Sequence, residues 1–95
     1  MKKPKGKDGD LAVWWIPQVP GKPFWVKVKT VSEALLLLRT LADYDVFQFN
    51  HHIKPDYSNA GGLSVFNGTE WLDWENEAGD SIDDLLRRKY ENPEL

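Results

Sequence analysis

At 95 residues, 41% hydrophobic and 13% aromatic with five Trp, the chain has the length for one domain with one modest core, and too much apolar content for a disordered segment. It contains no Cys, which excludes a disulfide framework, a thiolate nucleophile and a zinc ribbon, and its apolar runs, Ala34 to Leu38 among them, are far too short to span a bilayer. The net charge of −3 hides an asymmetry: residues 1–42 carry eight Lys and Arg against three acids, whereas residues 43–84 carry ten acids against Lys54 alone.

The opening stretch 1–10, MKKPKGKDGD, reads as a flexible basic tail. It lacks the apolar core of a signal peptide, and its Pro, Gly and Lys do not make a groove-reading element, so a soluble, intracellular protein with no membrane association and no direct nucleic-acid binding is expected. Residues 11–95 read as a single α+β domain. LAVWWI (11–16) is a continuous apolar run of strand length, expected as a central strand covered on both faces. After the stiff connection PQVPGKP, FWVKVK (24–29) alternates, with Phe24, Val26 and Val28 toward the core and Trp25, Lys27 and Lys29 toward the wetter side.

Thr30 followed by Glu33 is a capping box, which predicts a helix over about 31–42 with an apolar stripe of Ala34, Leu35, Leu38, Leu41 and Ala42. Asp43 and Asp45 then end the helix, and the alternation in VFQFNHHI (46–53) predicts a third strand with Phe47, Phe49 and His51 inward. Asn67-Gly68 between two strand-like runs predicts a two-residue type I′ hairpin, in which Phe66 opposes Thr69, Val65 opposes Glu70 and Ser64 opposes Trp71. One face of that hairpin shows Leu63, Val65, Leu72 and Trp74; the other shows Ser64, Phe66, Thr69, Trp71 and Asp73. SIDDLLRRKY (81–90), with Ser81 as cap, predicts a short C-terminal helix. The expected fold is therefore an antiparallel sheet of four or five strands with one main helix on a face, in the order β-β-α-β-β-β-α.

No catalytic constellation emerges. His51 and His52 are adjacent and point to opposite sides of a strand, Asp43 and Asp45 with His51 or Asp56 match no ligand set, and Ser58 and Ser64 lack a nucleophile elbow, so no enzyme, metal or cofactor is expected. Two segments are candidates for binding. Asp56, Tyr57, Ser58 and Asn59 in IKPDYSNAGG form either an ordered connection or a polar recognition loop. Phe66, Trp71, Asp73, Trp74 and Glu75 interleave aromatic anchors with carboxylates, a composition suited to holding another protein. The first segment suits a homo-oligomeric protein that sequesters a small ligand, and the generous Trp content leaves room for a homodimer.

WWIPQVPGKPF (14–24), LADYDVFQF (41–49) and IKPDYSNAGGL (53–63), followed by Trp71 and Trp74, resemble a family of short bacteriophage- and prophage-encoded proteins over about residues 11–80. The resemblance implies a small phage accessory protein of the host bacterial cytoplasm that binds, and thereby inhibits or modulates, a host or competing-phage protein. It carries no functional residues over to this chain.

Overall fold

The computed structural model describes residues 3–55 and 58–91. Two strands, β1 (Leu11–Ile16) and β2 (Phe24–Val28), precede the long helix α1 (Val31–Asn50); β3 (Ala60–Phe66), β4 (Trp71–Asp73) and α2 (Ile82–Glu91) follow. All strand pairs are antiparallel and the sheet order is β2-β1-β3-β4, an α+β fold with both helices packed against the sheet. Alternation decides what lies between helix and sheet. Val13 and Trp15 of β1 and Leu63 of β3 meet Ala34 and Leu38 of α1 and Ile82 of α2 in one buried cluster, with Phe24, Val28, Leu41, Trp74 and Leu86 packed around it. As expected for a central strand, β1 is covered on both sides: Val13 on the helix side and Ala12 on the other are both 0% exposed.

The capping box forms as the sequence predicts. Thr30 Oγ1 accepts from the Glu33 amide at 3.1 Å, and Glu33 Oε1 accepts from the amides of Thr30 at 3.2 Å and Lys29 at 2.6 Å. The far end of the helix differs from expectation. VFQFN is helical and continues α1 to Asn50, so there is no strand over 46–53 and the element order is β-β-α-β-β-α. The β preference of Val and Phe is a weak prior, and two aspartates cost a helix only a fraction of a kcal/mol each. Against these stands the helical stripe itself, which runs Ala34, Leu38, then Asp45 as its three buried positions. A charged residue at a buried position of a stripe reads as a terminator from sequence, but here its charge is satisfied by partners outside the helix.

A Schellman arrangement closes α1. The Ile53 amide donates to Gln48 O at 2.8 Å and the His52 amide to Phe49 O at 3.1 Å, with His52 at φ 59°, in the left-handed region usually given to glycine. His51 and His52 are consequently both exposed residues at a helix end and not alternate residues of a strand.

The hairpin also departs from the two-residue turn. Phe66 pairs with Trp71, Val65 with Leu72 and Ser64 with Asp73, so four residues, 67–70, form the loop. A type I′ turn needs positive φ at both central residues, and among the described residues only His52 and three glycines, Gly68 included, have it. Asn67 instead uses its side chain: Oδ1 accepts from the amides of Thr69 at 2.9 Å and Glu70 at 2.8 Å. The slip is two residues, an even number, so each side chain stays on the face that the sequence assigned to it.

Candidate functional site

The face of the sheet turned away from α1 takes its character from register. Ala12 pairs with Lys27 on one side and Ser64 on the other, and Ser64 pairs with Asp73, so these four form one row across the sheet. Trp25, Trp14 and Gly62 form the row to one side, and Phe66 with Trp71 the row to the other. β2 and β4 are three strand spacings apart, about 14 Å, yet the rings of Trp25 and Trp71 come to 6.1 Å centroid to centroid. They meet because the row between them carries small side chains at its centre. Ala12 at 0% and Ser64 at 4% exposure are roofed by the two indoles. Phe66 adds an edge-to-face contact with Trp71 at 5.1 Å.

Residues 3–10 lie across this roof. β1–β3 pairing is extended by Gly9 N–H to Phe66 O at 2.7 Å and Phe66 N–H to Asp10 O at 2.9 Å. The chain then reverses at Asp8–Gly9, where Gly9 has φ 89°, and the Lys7 amide donates to Asp10 Oδ2 at 2.9 Å. Beyond the reversal, the Trp71 indole N–H donates to Pro4 O at 3.0 Å and the Lys3 ammonium sits 5.7 Å from the centre of a Trp25 ring. A Cβ on Gly6 would fall 2.8 Å from Trp71 and 2.9 Å from Phe66, so the backbone rests directly on the rings.

Of the residues that the sequence singled out, Phe66, Trp71 and Asp73 stand together on this face. Trp74 packs on the opposite side against the buried cluster, its amide bonded to Leu63 O at 3.0 Å, and Glu75 is exposed and forms a bridge with Ser81. Trp14 and Trp25 belong to the face and were not among the candidates, although the alternation of FWVKVK already put Trp25 on the wetter side.

The second candidate segment is held from beneath. Asp56 and Tyr57 lie outside the described residues. Ser58 O accepts from the Val19 amide at 2.7 Å, and the Asn59 amide group donates to Asp45 Oδ2 at 2.6 Å. Asp45 Oδ1 accepts from the Lys54 ammonium at 2.7 Å, which also donates to Pro17 O at 3.0 Å. Asn59 thus ties the start of β3 to α1, and Lys54 ties the exit of α1 to the end of β1. Gly61 and Gly62, at the end of IKPDYSNAGG, are strand residues over which the rings of Trp15 and Trp14 lie. A third surface feature is the outward side of α1 and its exit, where Leu36, Tyr44, Phe47 and Ile53 are exposed and Phe47 stacks on His51 at 4.1 Å. Among the described residues no group of three or more His, Cys, Asp or Glu side chains could hold a metal ion, and no helix is long and apolar enough to cross a membrane.

Two carboxylates have their ionised forms favoured. The Lys7 amide, then the Lys27 ammonium at 3.0 Å, hold the Asp10 carboxyl below its usual value of 3.8. The amide and hydroxyl of Ser81, which caps α2, do the same for Asp84. A depressed folded pKa stabilises the fold at every pH above the unfolded value and loses that contribution as pH falls through the folded one. Thermal unfolding followed from pH 6 to pH 2 should therefore show a midpoint that drops below about pH 4, and Asp10→Asn with Asp84→Asn should lower the midpoint at pH 6 while making that acid drop shallower.

Comparison with known proteins gives a concordant picture. The model of a family described as superinfection exclusion gene product 17 matches residues 10–92. The chain is 45% identical over 80 residues to a superinfection exclusion protein of Salmonella phage P22, in an alignment that covers 70% of this chain and 78% of that protein. No solved structure matches it.

Proposed function

The chain belongs to the superinfection exclusion gene product 17 family of short phage-encoded proteins, and on that premise we propose that it excludes a second phage by binding, without catalysis, a protein that the incoming phage or the host supplies in the bacterial cytoplasm. The observation that carries this reading is the sheet face away from α1. It gathers Trp14, Trp25, Phe66 and Trp71 on one surface and sets exposed Asp73 at its margin, whereas stability alone would call for such rings between helix and sheet. Rigid aromatics supply most of the energy of a protein interface, and a carboxylate at the rim steers a basic partner. Asp73 is the cleanest probe because it is exposed and forms no ion pair among the described residues.

Bacteria expressing the chain should resist plating by challenging phages, and Asp73→Lys and Trp71→Ala should each restore plating by at least about tenfold, the equivalent of 1.4 kcal/mol of lost binding. Both variants should retain the far-UV circular dichroism of the unaltered chain. Exclusion that survives both substitutions would remove this face from the function.

A further inference from the structure

The aromatic face is already occupied, and the way it is occupied says what it recognises. Residues 3–9, KPKGKDG, touch the rings through a backbone carbonyl at Pro4, the bare Cα of Gly6 and the ammonium of Lys3. Of the segment's side chains only Pro4 is apolar, and it is half-buried, whereas Lys3, Lys5 and Lys7 all remain exposed. A segment selected to complete a core would bury a hydrophobic side chain there. Contact through main chain and cation, with the lysine side chains exposed, is how an extended peptide docks on an aromatic surface.

Two glycines permit the arrangement for different reasons. At Gly6 there is no room, since any Cβ collides with Trp71 and Phe66. At Gly9 there is open space, with nothing within 4 Å of where a Cβ would stand, but the reversal demands φ 89°. One glycine seats the segment and the other turns it back onto its own domain.

We propose that this face is a docking site for an extended, lysine-rich segment of a partner protein, and that residues 3–9 are a cis ligand that covers it until such a segment displaces them. The proposal rests on the face assigned under the proposed function and specifies the chemistry of the partner. The displacing segment needs a carbonyl to accept from the Trp71 indole, a residue without a side chain two positions after it, and a cation one position before it to lie over Trp25. The pattern Lys-Pro-x-Gly meets all three requirements, as residues 3–6 demonstrate in cis.

The experiment uses a fluorescein-labelled synthetic peptide, KPKGKDG, titrated against the full chain and against full-length Gly9→Val and Gly6→Val, with binding read by anisotropy. A cover closed nine-tenths of the time weakens apparent affinity about tenfold, so both variants should bind the peptide about tenfold more tightly than the unaltered chain. Trp71→Phe added to Gly9→Val should abolish that gain by removing the indole donor while keeping a ring, and the peptide KPKVKDG should not bind. Gly9→Val crowds nothing, so it keeps the test decisive if Gly6→Val fails to fold. Equal binding to all three proteins, binding to none, or concentration-dependent dimerisation of the open variants in sedimentation, which would make a second copy's tail the occupant, would each overturn the proposal. The native partner never enters the titration, so a negative peptide result leaves the plating result for Asp73→Lys intact, and the reverse also holds.

Discussion

Asp45→Ala is expected to destabilise the protein by about 3 kcal/mol, the lower end of the range for breaking a buried ion pair. Asp45 is 4% exposed in the stripe of α1 that faces the sheet, and both carboxylate oxygens are used, one by Lys54 and one by Asn59. Among the described residues, its loss leaves the Lys54 ammonium with only the Pro17 carbonyl, at a site where the lysine side chain is 18% exposed, and takes away the carboxylate to which the Asn59 amide group donates. That residual exposure of Lys54 is why the lower end applies. Lys54→Met should cost a similar amount by stranding the carboxylate. The double variant Asp45→Ala with Lys54→Met should cost less than the sum, with a coupling of about 1–3 kcal/mol, because neither charge is then left alone. Urea unfolding of the four proteins measures the cycle, and a single-variant loss under about 1 kcal/mol would mean that the pair is solvated as a surface bridge is.

The same aspartate marks the boundary of what the sequence could show. The start of α1 was legible because Thr30 and Glu33 are three residues apart and answer each other locally. Its end was not, because the groups that satisfy Asp45 come 9 and 14 residues later and reach it only when the chain has turned. A charge whose partner is out of sight looks like a stop. The hairpin shows the converse. Asn67 supplies its own hydrogen bonds to the loop, which lengthens it by two residues without changing faces, so Phe66, Trp71 and Asp73 were placed together correctly despite a wrong register. The contact of Trp71 with Trp25 was beyond reach of any local rule. It requires the order β2-β1-β3-β4 and the coincidence of Ala12 with Ser64 in the row between.

Gly61→Ala should cost about 1–3 kcal/mol by overpacking, and the cost should vanish or change sign once Trp15 is removed. Gly61 pairs with Trp15 across β1 and β3, and an added methyl would sit 2.5 Å from the indole and 3.0 Å from Leu38. Trp15 and Leu38 are 5% and 3% exposed, so neither has anywhere to go. Trp15→Ala alone should cost about 3–5 kcal/mol through the cavity it opens beneath α1. In that background the methyl added by Gly61→Ala enters vacated space, and replacing a strand glycine by alanine contributes about 0.5–1 kcal/mol through reduced backbone freedom. Gly62 is the internal control. Its methyl would approach Trp14 at 2.7 Å, nearly as close as the Gly61 contact, but Trp14 is only half-buried on the other face and can swing outward. If Gly61→Ala and Gly62→Ala cost the same in chemical denaturation, distance alone would set the penalty; a larger loss at Gly61 shows that the freedom of the opposing ring sets it.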